Sequence, residues 1–246
     1  MVNWTFVELD EVGSTQAVAK GLAAMGAPEG TAVVAKSQSS GEGRLGRTWV
    51  SPAGGLYMSF ILRPRNLPSP ELVSLVSALA VVQGIKSSTG LPTKIRWPND
   101  VMVGQKKLAG IMAEAQSYKH EITQILVGVG LNCNAPLGNI NAGGQEATSL
   151  VEELGRPVEI SELKHSVLDS FSTLYERWKA GEDLVPLWIE SIGTIGRPVT
   201  YKMKTDETTF SSEAVGVDSE GRLLVTKNGT ETALRAEDLG WLREDL

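Results

Sequence analysis

Apolar residues recur at helical spacing in three stretches of the chain. The predicted buried stripes are Val18, Leu22 and Met25; Leu72, Leu75, Val76, Leu79 and Val82; and Leu163, Val167, Phe171, Leu174 and Trp178. Ser14 precedes the first stripe and Ser69-Pro70 the second, which are typical helix starts, whereas Gly26 and Gly90 are typical helix ends. The third helix is predicted from about residue 161 to 180.

Short runs rich in β-branched and aromatic residues separate these helices. The predicted strands of the first part are Thr31–Lys36, Leu56–Leu62, Lys94–Trp97, Leu108–Ala115 and Gln124–Leu131. After residues 193–196 the chain alternates in short runs with turns between them, at Val199–Met203, Phe210–Val217, Leu223–Thr226 and Thr230–Leu234. We therefore predict an α+β fold, in which helices cover a mixed sheet over residues 1–194, followed by a small β-barrel over residues 195–246.

Composition limits the class of protein. The chain has 246 residues, of which 41% are hydrophobic and 21% charged, and this is typical of a globular protein with a sizeable core. A net charge of -6 argues against nucleic-acid binding by the protein as a whole. One cysteine, Cys133, excludes an internal disulfide and favours a cytoplasmic location, and no apolar run predicts a membrane span or a signal segment.

The segment Gly41–Arg47 is the most informative motif. Three glycines allow close approach of a ligand to the backbone, and Arg44 and Arg47 offer planar forks for anionic oxygens. The glycines also satisfy the dinucleotide-binding pattern, but that site needs a helix to start within the motif, and residues 48–55 cannot be helical. We favour an anion-binding loop over a plain glycine-rich hairpin.

Two further clusters carry polar side chains at strand ends. Pro98 ends a strand and leaves Asn99 and Asp100 in a turn, where Asn99 has either a structural or a functional role and Asp100 either binds Mg²⁺ or fixes a cation. In the second cluster, Lys106 is expected at the surface. Lys107 is expected to point inward, because the small residues at 109 and 110 leave room for a ligand.

Glycines also interrupt an apolar strand at Gly128 and Gly130, which marks close approach by a ligand or by another part of the chain. Asn132 then either donates to a phosphate or forms a turn. Neither His120 nor His165 falls in a candidate site, so a Ser-His-Asp triad and a zinc site are both poorly supported. Cys133 is interpreted as a small buried hydrophobic residue.

Taken together, these motifs resemble the biotin protein ligases in order and spacing over nearly the whole chain. The motifs are Ser14-Thr15, Gln38, Gly41–Trp49, Trp97–Asp100, Lys107–Gly110, Gly128–Asn132 and Ala147–Leu150. The resemblance implies a class II synthetase-like catalytic domain, an SH3-like barrel and the form without an N-terminal DNA-binding domain. It also implies a ligase that makes biotinyl-5′-AMP from biotin and ATP with Mg²⁺. The ligase then transfers biotin to a lysine of a biotin carboxyl carrier domain of a biotin-dependent carboxylase.

The resemblance also assigns residues to roles. Lys107 and Arg44 are implied to be catalytic, and Asp100 is a candidate Mg²⁺ ligand. The implied biotin-binding residues are Ser14, Thr15, Gln16, Gln38, Gly41, Glu42, Gly43, Arg44, Lys107 and Gly110, and the implied ATP-binding residues are Arg44, Arg47, Trp49, Asn99, Lys107 and Asn132. Two positions depart from the family pattern, since Gln16 stands where asparagine is common and Glu42 where arginine is common.

Other functions are weighed against this one. A lipoate-attaching ligase would share the carrier-directed chemistry, and a non-catalytic biotin-binding module would retain the pocket, although Lys107 argues against the module. Nucleic-acid binding by the C-terminal barrel is disfavoured by its few basic and aromatic residues. We expect no nucleic-acid or membrane partner, and an exposed strand that pairs either in a homodimer or with the carrier.

Overall fold

The computed structural model describes residues 1–43, 46–64, 72–118, 121–135, 137 and 146–245. The strands are β1 (Thr5–Val12), β2 (Thr31–Gln38), β3 (Leu56–Leu62), β4 (Lys94–Arg96), β5 (Asp100–Val103), β6 (Lys106–Tyr118), β7 (Glu121–Leu131), β8 (Pro198–Met203), β9 (Thr209–Val217), β10 (Leu223–Lys227), β11 (Thr230–Leu234) and β12 (Leu239–Glu244). The helices are α1 (Thr15–Ala24), α2 (Val73–Thr89), α3 (Leu150–Leu154), α4 (Ile160–Lys179) and α5 (Val185–Ser191).

The first seven strands form one mixed sheet in the order β1-β2-β3-β7-β6-β5-β4. β1 and β2 are parallel, and the other neighbouring pairs are antiparallel. The prediction of an α+β fold with a mixed sheet is therefore confirmed. β1 was not predicted, because its position at the sheet edge leaves most of its side chains exposed or half-buried and removes the apolar run.

Helices cover both faces of this sheet. On one face, Ala19 and Ala23 of α1 pack on Val33, Ile61 and Leu126. On the other face, α2 and α4 join the main core, and the apolar stripe predicted for α4 is buried. A Cβ atom on Gly84 of α2 would lie 2.7 Å from the Val167 Cα atom, so glycine lets these two helices pack closely.

The sequence predicted where α2 begins and ends, and the structure tests only the prediction of its end. The start predicted at Ser69-Pro70 lies outside the described residues. The C-cap is Gly90 with φ of 77°, a left-handed conformation that glycine adopts without steric cost, as the sequence predicted. Within the described ranges, no helix is both long and apolar enough to cross a bilayer.

The C-terminal strands form a separate antiparallel sheet in the order β11-β10-β9-β8-β12. In the part of the chain that the structure describes, β11 and β12 are its two edges and do not pair, so the sheet is not closed into the predicted barrel. β12 was missed in the sequence, because its side chains are mostly half-buried and show no clear alternation. Four residues of β12 line a cavity of the first sheet.

Candidate functional site

Two glycines on β7 open a cavity on the face of the sheet that α1 covers. Leu126 packs against α1, and side chains two residues apart on a strand share a face, so Gly128 and Gly130 continue the same face. They lie about 7 Å apart along the strand. Where α1 begins, the sheet therefore has bare backbone in place of side chains.

Residues on the neighbouring strands pair with Gly128 and with Gly130, and each glycine with its partners forms a row across the sheet. Ser59 on β3 and Met112 on β6 both pair with Gly128, whereas Gly110 on β6 pairs with Gly130 and in turn with Asp100 on β5. Residues directly opposite in an antiparallel sheet share a face, so these rows lie side by side on the floor of the cavity.

Uncharged polar groups surround the Gly128 row. The Thr15 backbone N–H and hydroxyl both donate to Gln38 Oε1, at 2.8 and 3.1 Å. Thr15 Oγ1 also lies 2.9 Å from Ser59 Oγ, and Gln38 Nε2 donates to Ser51 Oγ at 2.8 Å. Ser14 caps α1 by accepting from the Ala17 N–H, and it lines the cavity as well. This network holds hydroxyls and amides rigidly at one end of the cavity.

Gln16 is the one member of this end with no hydrogen-bond partner among the described residues, for either Nε2 or Oε1. Its side chain lines the cavity, and the residue is 4% exposed. A Cβ atom on Gly128 would lie 3.0 Å from Gln16 Oε1, so the amide rests against the bare strand. A buried amide without partners is costly, and it is matched to a ligand that both donates and accepts hydrogen bonds.

We expect Gln16→Met to change stability and ligand binding in opposite directions. Methionine keeps the length of the side chain but removes the unpaired amide, so the ligand-free protein should gain about 1 kcal/mol in unfolding free energy. Binding of biotin, the ligand that the family resemblance implies, should weaken by about tenfold if Gln16 pairs with its polar ring. Calorimetric unfolding and titration with biotin measure the two effects, and unchanged biotin affinity would remove Gln16 from the site.

Trp49 and Lys107 define the end of the cavity at the Gly130 row. A Cβ atom on Gly130 would lie 2.4 Å from Trp49 Nε1, and one on Gly110 would lie 3.0 Å from the Trp49 ring. The Lys107 ammonium lies 5.3 Å from the centre of the indole, within range of a cation–π contact. The indole thus lies over two glycines, beside a cation.

Lys107 is held from two sides. Its Nζ atom lies 2.6 Å from Asp100 Oδ1, and both side chains are less than one-fifth exposed. Its backbone pairs with the segment around Ala147, since its N–H donates to the Glu146 carbonyl and its carbonyl accepts from the Thr148 N–H. The inward orientation predicted from the small residues that follow Lys107 agrees with this placement, whereas Lys106 is exposed beside Glu146.

The glycine-rich loop contributes to the cavity only in part. Glu42, Gly43 and Arg47 line it, and Arg47 is exposed. Gly41 does not line the cavity, but it accepts from the Trp49 N–H, and a Cβ atom there would lie 2.4 Å from the Trp49 carbonyl oxygen. Arg44, predicted to be catalytic and to bind both ligands, lies outside the described residues.

Asn99 and Asn132 differ in their relation to the cavity. Asn99 is buried and lines it, with its amide donating to the Ile111 carbonyl on β6. Asn132 does not reach it, because its amide donates to the Thr148 carbonyl at 3.0 Å and so holds the segment that pairs with Lys107.

Two other polar residues of the sequence lie away from the cavity. Burial raises the pKa of the Cys133 thiol to about 12, as expected for a buried hydrophobic residue. His165 is on the exposed side of α4, and His120 lies outside the described residues.

The described residues do not build a metal centre. None of them form a group of three or more histidine, cysteine or acidic side chains placed to hold an ion. The Asp100 carboxylate is already paired with the Lys107 ammonium. The geometry therefore favours the second role considered for Asp100, which is to fix a cation.

Several lining residues were not predicted. Ser59 is the one serine in the buried run Leu56–Leu62, where the other residues are aliphatic or aromatic or methionine, and this signal was available in the sequence. Arg96 and the β12 residues Leu239, Gly240, Trp241 and Leu242 also line the cavity. No local pattern marks the β12 residues, because they come to the site from the C-terminal sheet.

Comparisons with known proteins agree with this geometry. Residues 10–132 match the model of the biotin/lipoate A/B protein ligase family. The chain is 36% identical to the bifunctional ligase/repressor BirA of Bacillus spizizenii over 93% of its own length and 71% of that protein. It is 32% identical to the biotin–[acetyl-CoA-carboxylase] ligase of Paracoccus denitrificans over 78% of its length and 82% of that protein.

Among solved structures, the biotin protein ligase from Aquifex aeolicus in complex with biotin and ATP superposes with a TM-score of 0.86 at 28% identity. The match covers 98% of this chain and 99% of that one, so both sheets take part in it. The chain therefore belongs to the biotin/lipoate A/B protein ligase family and, within it, to the biotin protein ligases.

Proposed function

We propose that this chain is an ATP-dependent ligase that activates biotin as biotinyl-5′-AMP and then transfers biotin to a lysine of a carrier domain. The observation that carries the proposal is the division of one cavity into two ends. Neutral donors and acceptors surround Gly128, whereas Trp49 and Lys107 lie over Gly130 and Gly110. A ligand that spans both ends needs a neutral polar ring, then an anion, then an aromatic base.

The neutral end suits the ureido ring of biotin. Thr15, Gln38 and Ser59 present hydroxyl and amide groups whose positions are set by their mutual hydrogen bonds. Gln16 supplies an amide whose hydrogen-bonding capacity is not used by the described residues. A site built from buried polar groups rejects ligands that cannot pair with them, so this end would discriminate against an apolar acyl group such as lipoate.

Lys107 is suited to the first chemical step. An oxygen of the biotin carboxylate attacks the α-phosphorus of ATP, and the bond from that phosphorus to the pyrophosphate oxygen breaks. Two anions approach each other in this step, so a fixed cation between them lowers the barrier more than it stabilises either reactant alone. We assign this role to Lys107, with Arg44 and Arg47 as further partners of the phosphates.

The second step consumes the mixed anhydride. The amine of the carrier lysine attacks the acyl carbon of biotinyl-5′-AMP, an amide bond forms, and AMP leaves with the electron pair of the broken C–O bond. The adenylate must be shielded from water until then. We propose that the loop at 41–47 covers it and that Trp49 packs against the adenine.

Mg²⁺ is proposed to enter with the nucleotide, where phosphate oxygens bind it, and not to occupy a site built by the protein. We expect Asp100→Asn to lower kcat for adenylate formation by about tenfold, because Lys107 loses its charged partner. The Mg²⁺ concentration at half-maximal activity should stay unchanged. Full recovery of kcat at high Mg²⁺ would instead make Asp100 a metal ligand.

Asp10→Asn is the matched control for that variant. Asp10 pairs with Lys36 at a similar distance, 2.7 Å, but both side chains are more than three-quarters exposed. We expect this substitution to leave both kcat and the Mg²⁺ dependence unchanged.

We place the boundary between a catalytic domain and a C-terminal domain at residue 194, and we propose that the C-terminal sheet curves in the manner of an SH3-like barrel. Register shifts at Leu224/Val225 and Leu239/Trp241 support this, since bulges increase the local bend and twist of a sheet.

Mass spectrometry of a biotin carboxyl carrier domain incubated with the protein, biotin and MgATP tests the function. One added biotinyl group, on a single lysine and dependent on ATP, is expected. Attachment of lipoate in preference to biotin would assign the chain to the lipoate-attaching ligases. Biotin binding without adenylate formation or transfer would make it a binding module.

A further inference from the structure

We propose that Thr194 and Glu244 are positioning residues, which fix the segment Arg96–Asp100 and, through Asp100, the ammonium of Lys107. This inference rests on the proposed ligase function for its kinetic part. It assigns a role in adenylate formation to residues that do not belong to the glycine-rich loop or to the polar end of the cavity.

Thr194 is a junction between the two sheets. The residue is fully buried, and its hydroxyl oxygen accepts from the Trp97 backbone N–H at 3.0 Å. The same hydroxyl donates to Glu244 Oε1 at 2.6 Å. One hydroxyl thus connects the turn that carries Asn99 and Asp100 to β12, and valine, which has the same shape, makes neither bond.

Glu244 completes the junction with charge. Its side chain is 6% exposed, and its carboxylate lies 3.7 Å from Arg96 Nε and 3.4 Å from an Arg197 nitrogen. A buried carboxylate is stable only when it is paired and hydrogen-bonded. Glu244 therefore depends on Arg96 and Arg197, and it holds both guanidinium groups in place in return. Arg96 also lines the cavity, so the pair reaches the site itself.

Further bonds hold this segment and the strand before it against the turn at Gly221 and the residues that lead into the C-terminal sheet. The Trp97 indole N–H donates to the Gly221 carbonyl at 2.9 Å, and the Gly193 N–H donates to the Ile95 carbonyl at 2.8 Å. Trp97 is therefore held at both its backbone N–H and its indole N–H by residues that follow the first sheet in the chain.

The segment also contacts the reactive end of the cavity. The Ile111 N–H donates to the Asn99 carbonyl at 3.0 Å, which keeps the turn on β6, and Asp100 holds the Lys107 ammonium at 2.6 Å. Two hydrogen bonds thus run from Glu244 through Thr194 to the Trp97 backbone, the turn continues covalently from Trp97 to Asp100, and one ion pair joins Asp100 to Lys107. Displacement of a catalytic group by about 1 Å is enough to lower a rate by about 100-fold.

Four variants test the inference. Thr194→Val removes both hydrogen bonds, Thr194→Ser keeps the hydroxyl, and Glu244→Gln keeps an acceptor for Thr194 but removes the charge. Thr232→Val is the matched control, because Thr232 lies exposed on β11 at the far edge of the same sheet. Rates of pyrophosphate release give kcat and the KM values for biotin and for ATP, and calorimetry gives the unfolding temperature.

We expect Thr194→Val to lower kcat by about 10- to 100-fold with the KM for biotin within about twofold of the unmodified chain. Thr194→Ser should restore most of kcat, and Glu244→Gln should have an intermediate value. A lower unfolding temperature with normal kcat would mean that Thr194 has a purely structural role. An equal effect of Thr232→Val, or an equal rise in the KM for biotin, would also overturn the inference. If Thr194→Val does not fold, normal kcat in Glu244→Gln overturns it.

A second measurement does not require ligase activity. Acetic anhydride modifies free amines, and mass spectrometry compares Lys107 with its neighbour Lys106 on the same peptide. We expect Lys107 to be modified several times faster in Thr194→Val than in the unmodified chain, while Lys106 is unchanged. Equal labelling of Lys107 in both proteins would refute the coupling, whereas absence of adenylate formation in the unmodified chain would refute the ligase function alone.

Discussion

Lys107→Ala is expected to lower the rate of adenylate formation by about 100- to 1,000-fold, since one preorganised charge that acts mainly in the transition state contributes about 3–4 kcal/mol. The fold should be retained, because the backbone of Lys107 pairs with the segment around Ala147 independently of its side chain. The rate of adenylate formation from biotin and labelled ATP measures the first effect, and thermal unfolding measures the second.

Lys106→Ala is the matched control, since Lys106 is exposed and pairs with Glu146 outside the cavity. We expect normal adenylate formation in that variant. Turnover of Lys107→Ala within a few-fold of the unmodified chain would exclude the mechanism proposed for the first step, whatever the behaviour of Lys106→Ala.

Gly130→Ala is expected to reduce kcat/KM for ATP by about 100-fold while leaving biotin binding nearly intact. The new Cβ atom would lie 2.4 Å from Trp49 Nε1, whereas contact distances between such atoms are about 3.5 Å, so the indole must move by about 1 Å. Steady-state kinetics with ATP varied, together with titration of biotin, separate the two halves of the cavity.

Two comparisons locate the cause of that loss. A Cβ atom on Gly216, in the C-terminal sheet, would lie 3.6 Å from the Leu224 side chain, which is an ordinary contact distance. Gly216→Ala should therefore change kcat/KM for ATP little. In a Trp49→Ala background, Gly130→Ala should lower kcat/KM for ATP far less than it does in the unmodified chain, because the two substitutions act on the same contact. A full loss in that background would mean that Gly130 does not act through Trp49.

Many features of the fold and of the cavity were predicted from residues that are close together in the sequence. The interruption of an apolar strand by Gly128 and Gly130 predicted close approach there, and the small residues after Lys107 predicted its inward orientation. The apolar stripe of α4 and the glycine that ends α2 were also predicted, because both depend on neighbours within a few residues. The order and spacing of the motifs carried the family resemblance.

Contacts between distant segments were not predictable in this way. The pairing of Gly110 with Gly130, and of Ser59 with Gly128, depends on the register of three antiparallel strands, which alternation alone does not specify. Asp100 was left with two roles in the sequence, and only its distance from Lys107 favours one of them.

The same reason explains why β12 and Thr194 escaped notice. β12 is half-buried and lines a cavity of the other sheet, so it has no apolar period of its own. Thr194 has no local signal, because its partners Trp97 and Glu244 lie 97 residues before it and 50 residues after it. The chain's local pattern specified which elements form and which side chains carry chemistry. The packing of the two sheets specified which of those side chains meet, because hydrogen bonds and ion pairs form through space and leave no periodic mark along the chain.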